Sequence, residues 1–350
     1  MSRGLETVID WVERGRVPDA AVRAGIRRLC AQRRARETAG DCAMRLERQQ
    51  AFIRSMDSSP IAPVPAKANE QHYELPAEFF HAVLGHRLKY SGCYFESASE
   101  DLDAAEDAAL AATCAHAGLA DGQNVLELGC GWGALTLWMA SQYPGSRITA
   151  VSNAGAQRAF IEARAAERGL DNVAVITADM NDFEPSNAPF DRVVSLEMFE
   201  HMRNWRLLLQ RISTWLRPGG RLLVHVFCHR SAAYAFQPEG SANWMGRHFF
   251  TGGIMPSDDL MLHFQDDLRH RGQWRWSGRH YMHTANAWLA HMDARRPTLL
   301  PVLEATYGRD AARWHQRWRV FFMACAELFG WRGGEEWWVV HHLMEKPDEA

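Results

Sequence analysis

Two carboxylates and an imidazole fall within five residues in Glu197-Met-Phe-Glu200-His201. If the chain turns helically here, Glu197 faces Glu200 at i+3 and His201 at i+4, so all three share one face. Close carboxylates raise one another's pKa and attract an ammonium ion, which joins the binding of a cationic amine to the removal of its proton. An alkyl amine resembles lysine, with a pKa near 10, so at neutral pH it is mostly protonated and needs a base before its nitrogen can attack. The same residue types also make an ordinary solvated pair beside a structural histidine, and spacing alone leaves both readings open.

A second pattern, Glu127-Leu-Gly129-Cys-Gly131-Trp-Gly133, is spaced for a ligand's phosphate, ribose or amino-acid portion. Glycines there let the backbone turn sharply and approach the ligand, while the following helix offers unbonded N–H groups. Gly-x-Gly-x-Gly is typical of S-adenosylmethionine sites, yet Gly129-x-Gly131-x-x-Ala134 also satisfies a loose dinucleotide fingerprint. A dinucleotide site wants an acid about twenty residues on, at the end of the second strand, to hold the ribose. Ser152-Asn153 stands there instead, which weakens the NAD reading. Asp179 can accept from an adenine amino group and Met180 can cover the ring face, which favours S-adenosylmethionine.

The elements that position these residues read as strand, glycine turn and helix, repeated. Strands are predicted from Asn124 through Gly129, at 147–152, 173–178, 192–196 and 221–227, with helices at 134–143, 156–168 and 205–216. Alternation of this kind predicts a doubly wound, Rossmann-like α/β sheet of the class I methyltransferase type. The last helix is closed by Pro218-Gly219-Gly220. Residues 1–55 hold twelve arginines, no lysine and seven acids, with Val22, Ile26 and Leu29 at helical spacing. They predict an N-terminal helical extension over 1–57, packed on the main domain or drawn to anionic lipid headgroups. Pro60, Pro63 and Pro65 make 58–68 a linker, and the methyltransferase domain is expected over 69–350. Nine of the fourteen tryptophans lie between Trp244 and Trp338 without strand alternation. Residues 228–335 are therefore expected to form a mostly helical cap, before a final strand at 336–344.

Several longer motifs add a family. Asn69-Glu-Gln-His-Tyr-Glu-Leu-Pro, Leu88-Lys-Tyr-Ser-Gly-Cys-Tyr-Phe95, Glu197-Met-Phe-Glu-His201, Phe249-Phe-Thr-Gly-Gly-Ile-Met-Pro256 and the 321–329 stretch resemble the cyclopropane-fatty-acid synthase superfamily. More closely they resemble its coclaurine N-methyltransferase-like branch. The resemblance implies that Ser91 and the loop of Gly129, Gly131 and Gly133 hold the methionine portion of S-adenosylmethionine. It also implies that Asn153 and Gln157 take the ribose, that Asp179 and Met180 bind adenine, and that Tyr94, His225, Phe321 and Phe322 surround the acceptor.

Departures from the cyclopropane-forming pattern separate two activities. Members with that chemistry hold a bicarbonate ion with a cysteine of the Tyr-Ser-Cys motif, the Glu-His pair, a histidine on the fifth strand and a late tyrosine. Here Gly92 takes the cysteine's place and Phe321 or Phe322 the tyrosine's, while Glu197 replaces a glycine, as in the amine-methylating branch. N-methylation of a small aromatic amine is therefore expected, with Glu197, Glu200 and His201 as the base cluster. The alternatives are methylation of unsaturated acyl chains and S-adenosylmethionine binding without turnover.

Bulk composition agrees with a soluble enzyme. A net charge of -3 and a pI near 6.6 give no global attraction to nucleic acid. Seven irregularly spaced cysteines fit neither a disulfide framework nor a zinc site, so a reducing, cytoplasmic compartment is expected. His225 and His229 share i,i+4 spacing, but on a strand and the loop after it that spacing does not converge, and no metal is expected. Cys325 lies in an apolar helical stretch, and sulfonium transfer needs no thiol. No membrane span is expected, peripheral lipid contact stays open, and a homodimer is compatible with the sequence.

Overall fold

The structure is a computed structural model and describes residues 3–64, 75–97, 100–240 and 243–348. The end of the expected linker at 65–68 and the start at Asn69, with the motif through Glu74, lie outside the described residues.

Three helices come first: α1 (Arg3–Glu13), α2 (Asp19–Glu37) and α3 (Cys42–Asp57). After α4 (Ala77–Val83) and α5 (Leu102–Ala117), strand and helix alternate through β1 (Asn124–Leu128), α6 (Ala134–Gln142), β2 (Arg147–Ser152), α7 (Gly155–Glu167), β3 (Val173–Thr177) and β4 (Phe190–Leu196). A 3₁₀ turn at Phe199–His201 and α8 (Trp205–Trp215) lead into β5 (Leu216–His229). The remaining elements are β6 (Tyr234–Ala235), α9 (Trp244–His248), β7 (Ile254–Met255), β8 (Arg269–Trp276), α10 (Gly278–Ala294), α11 (Arg296–Tyr307), α12 (Ala311–Phe329) and β9 (Trp337–Glu345).

Seven strands form one sheet in the order β3-β2-β1-β4-β5-β9-β8, parallel from β3 to β5 and antiparallel beyond. The chain crosses from β1 to its neighbours on both sides, so the strand ends on either side of β1 open a crevice, the usual ligand position in such sheets. The strand β1 is buried throughout, as a central parallel strand must be.

Two boundaries differ from the sequence reading. The Pro218-Gly219-Gly220 turn lies inside β5, whose first residue Leu216 already pairs with Phe190 before the register shifts. The expected cap contains β8, an edge strand of the main sheet. Its Arg-His-Arg-Gly-Gln-Trp-Arg-Trp sequence lacks the aliphatic alternation of a strand, because its neighbour covers only one edge and much of it stays accessible. Apart from the short β6 and β7, the regular structure in the rest of the cap is helical, and α10 and α12 pack around Trp288, Trp318, Phe322 and Phe329. Among the described residues no helix is long and apolar enough to cross a membrane.

The arginine-rich helices pack on this cap. Arg23 and Arg27 of α2 bind Glu327 at 2.9 and 2.8 Å, and Arg319 of α12 reaches back to Asp19 at 2.7 Å. Val22 is buried and Leu29 is exposed, so the apolar stripe is narrower than its spacing suggests.

Candidate active site

Every glycine of the loop after β1 has positive φ: 81° at Gly129, 51° at Gly131 and 81° at Gly133. A side chain at Gly131 would meet nothing within 4 Å, so the backbone there faces open space. That space belongs to a cleft of about 1130 Å³, partly continuous with solvent. Ser91, Gly129, Gly131, Asn153, Gln157, Asp179 and Met180 all line it. Gly133 does not; it is the N-cap of α6, and a Cβ there would strike Ile161 at 2.6 Å.

The cleft also shows what it lacks. Gln157 is buried, its Oε1 accepts from Ser152 at 2.6 Å, and its Nε2 has no partner among the described residues. A buried amide donor without an acceptor is costly, and a ligand hydroxyl would satisfy it. Glu127 at the end of β1 lines the same cleft with its carboxyl accepting from Thr136 at 2.5 Å, and burial pushes its pKa up to about 8. Such a group accommodates a ligand ammonium, whose charge would return it to the ionised form. A ribose-bearing, amino-acid-bearing ligand such as S-adenosylmethionine fits this donor and acceptor set.

A second cavity, of about 650 Å³, adjoins the first. Tyr90, Glu197 and His201 line both. The second is walled by aromatic rings, among them Phe227, Phe236, Phe250, Tyr281, Trp288 and Phe321. Of the expected acceptor residues only Phe321 lines it. Phe322 is fully buried against Trp288 and Trp318, Tyr94 stacks on His280 at 4.4 Å, and His225 lies behind Glu197 with no exposure. Of the nine tryptophans between Trp244 and Trp338, Trp276, Trp288, Trp318 and Trp337 are buried, and Trp288 alone of the nine lines this cavity.

Glu197 does not begin a helical turn as the spacing suggested. Its φ is 45°, in the left-handed region, and only Phe199–His201 form a single 3₁₀ turn. Holding a non-glycine residue there costs about 1–2 kcal/mol, and such strain concentrates at functional positions. The conformation points the carboxylate into a set of three donors. Oε1 accepts from the Gly92 N–H at 2.8 Å and lies 3.3 Å from His225 Nε2, while Oε2 accepts from the Tyr281 hydroxyl at 2.7 Å. Burial raises the Glu197 pKa, and Lys89, the Gly92 N–H and the Tyr281 hydroxyl oppose that rise.

Glu200 lines the acceptor cavity with its Oε2 buried and unpartnered among the described residues. Burial first and the Glu197 charge second raise its pKa well above the usual range. Burial lowers His201 to about 4, so this imidazole is neutral near pH 7, stacked parallel to Phe250. Burial, and for Glu200 the neighbouring charge as well, thus make both carboxyls hold a proton more readily than an ordinary glutamate.

Sequence reasoning missed Lys89 and Tyr281. Lys89 is buried, and its ammonium donates to Ser91 Oγ at 2.7 Å and the Gly92 carbonyl at 2.5 Å. The loop carrying these residues is held by Glu106 of α5, which accepts from the N–H groups of Gly85, Arg87 and Lys89. Lys89 stands in the 88–95 motif without a role assigned to it there, and Tyr281 reaches Glu197 only through the fold.

Comparison with known proteins places the chain in a family and a fold. The sequence profile of the family described as mycolic acid cyclopropane synthetase matches residues 64–335. The (S)-coclaurine N-methyltransferase of Thalictrum flavum subsp. glaucum is 36% identical over 344 residues, 96% of this chain and 94% of that one. The pavine N-methyltransferase of the same plant is 31% identical over 98% of this chain and 97% of its own. A crystal structure of coclaurine N-methyltransferase bound to N-methylheliamine and SAH superposes with a TM-score of 0.95 at 36% identity, covering 98% of this chain and all of that one.

Proposed function

The chain belongs to the mycolic acid cyclopropane synthetase family, and we propose that within it this protein is an S-adenosylmethionine-dependent N-methyltransferase whose acceptor is a small aromatic amine. The observation that carries this reading is the position of Glu197, shared by both cavities and held by Gly92, His225 and Tyr281. The family's cyclopropane-forming pattern places a bicarbonate ion among a cysteine at position 92, a fifth-strand histidine and a tyrosine. Here the cysteine and the late tyrosine are replaced, and the chain's own carboxylate takes the Gly92 N–H, the fifth-strand His225 and the Tyr281 hydroxyl from another helix. A Cβ at Gly92 would press on Tyr281 at 3.1 Å, so the glycine makes room for the ring that holds Glu197.

The ammonium form of the amine enters the aromatic cavity, where ring faces stabilise a cation by about 0.5–2 kcal/mol each. Its N–H protons meet Glu197 and the unpartnered Glu200 oxygen. Glu197 takes one proton, which leaves a nitrogen lone pair facing the shared wall of the cleft. Ser91, Gly129, Gly131, Asn153, Gln157, Asp179 and Met180 would hold S-adenosylmethionine there, and when bound it supplies a methyl group on a positively charged sulfur. The fixed donors keep the base oriented at no reorganisation cost. The reading finds further support in the relatives at 31–36% identity, which are N-methyltransferases by name.

Glu197→Gln tests it. S-adenosylmethionine should bind nearly as before, and kcat with a secondary aromatic amine should fall about 10²–10⁴-fold. A base with a raised pKa must lose its proton to act, so the wild-type rate should fall as the pH drops through a value above the ordinary glutamate range. The variant should regain rate as rising pH supplies free amine. Near-normal kcat in Glu197→Gln would remove the base from the account.

A further inference from the structure

Behind Glu197 three histidines stand in a row. His225 of β5 and His341 of β9 are cross-strand partners, with His225 Nδ1 2.8 Å from His341 Nε2. His341 Nδ1 is in turn 2.8 Å from Nδ1 of His116, in the last turn of α5. His225 and His341 have no exposure, whereas His116 is half-buried at the far end. Two tryptophans of β8 wall the row: Trp274 lies parallel to the His116 ring at 4.2 Å, and Trp276 is 4.4 Å from His341 and 5.4 Å from His225.

The partners dictate the hydrogens. A carboxylate at Glu197 needs a donor, so His225 carries its hydrogen on Nε2 and its Nδ1 is a bare acceptor. His341 must then donate from Nε2 and accept at Nδ1, and His116 must donate from Nδ1. The opposite set turns the bare Nε2 of His225 toward the carboxylate, which is tolerable only when Glu197 is protonated. A histidine's tautomer is set by the bond its second nitrogen makes. Each ring therefore fixes the next.

We propose that His341 and His116 are positioning residues for the methyl transfer: through His225 they keep a hydrogen-bond donor on Glu197 and so hold it in the ionised, proton-accepting form. The inference rests on reading Glu197 as the base. The other groups facing Glu197 are Lys89 and Cys93 from the loop before α5, Glu200 and His201 from its own turn, Tyr281 from α10 and Cys325 from α12. His341 faces His225, His116, Lys89 and His342. None of these replaces the His225 donor at Oε1 except the Gly92 N–H, which the row does not control.

The test uses His341→Leu, His341→Gln, His116→Leu and His116→Asn in the full chain, beside Glu197→Gln. His341→Leu should lower kcat about tenfold or more, leave S-adenosylmethionine affinity unchanged and move the acid limb of kcat to higher pH, since a base that loses a donor is protonated more readily. His341→Gln can still donate to His225 and should restore most of the rate. His116→Leu should shift the limb the same way by a smaller amount, and His116→Asn, whose amide can donate where Nδ1 did, should not. Nitrogen-15 spectra of histidine-labelled, S-adenosylhomocysteine-bound protein should show Nε2–H for His225 and His341 and Nδ1–H for His116. If His341→Leu does not fold, His116→Leu and these spectra decide. A folded His341→Leu with wild-type kcat and acid limb, or the opposite tautomers, overturns the inference. Wild-type kcat in Glu197→Gln instead overturns the base reading on which it rests.

Discussion

Glu127 and Glu197 are both buried carboxyls at strand ends, and their surroundings assign them opposite tasks. Glu127 has one side-chain donor, Thr136, and burial holds its pKa near 8, so it is mostly protonated at pH 7. Glu197 has three donors and a nearby ammonium, which favour the carboxylate. If Glu127 receives the ammonium of S-adenosylmethionine, binding at pH 7 should expel most of one proton, because the charged ligand pulls a raised pKa back down. Calorimetry in buffers of different ionisation enthalpy would register that release, and it should vanish in Glu127→Gln. Binding without proton release in the wild type would separate Glu127 from the ligand. The grouping of Glu197, Glu200 and His201 was legible from the sequence because the three lie within five residues. Lys89, Tyr281 and His341 were not, since Tyr281 reaches Glu197 from a distant helix, His341 touches it only through His225, and Lys89 stands on a separate loop bonded to Ser91 and Gly92. The left-handed φ of Glu197 was equally hidden, because only the fold shows which non-glycine residue is strained.

Elements rich in valine, isoleucine and leucine were readable in advance, and β8 was not. An edge strand of arginine, histidine, glutamine and tryptophan shows no apolar period, yet it supplies the tryptophans that wall the histidine row. The N-terminal helices present the same difficulty in another form, since arginine content alone fits a lipid surface as well as an acidic partner. In the fold Glu13 of α1 is buried and accepts from Arg317 at 2.9 Å and from the Trp244 indole at 2.8 Å, tying α1 to the cap. Burial by itself would raise its pKa, and these donors bring it below the ordinary value. Glu13→Ala leaves both donors unpaired and should cost about 1–3 kcal/mol at pH 7. A lowered folded pKa contributes stability that is present above the unfolded value and lost as the pH falls through the folded one. The Tm gap between wild type and Glu13→Ala should therefore close in acid. A gap that persists unchanged at pH 3 would show that packing, rather than charge, is lost.

Over the whole molecule the doubly wound sheet was legible, because alternating buried strands and amphipathic helices admit few arrangements. The division between amine and lipid chemistry was legible only as substitutions at single positions, and the fold gives them a joint meaning. Gly92, His225 and Tyr281 turn their donors to a carboxylate built into the chain, beside an aromatic-walled cavity of about 650 Å³. The most direct test gives the purified protein methyl-labelled S-adenosylmethionine together with a secondary aromatic amine and phospholipid vesicles bearing unsaturated acyl chains, with and without dissolved bicarbonate. The label should appear in the amine at the same rate in both buffers. Label in the acyl chains, rising when bicarbonate is restored, would contradict the assignment of Glu197 and its cavity to an amine.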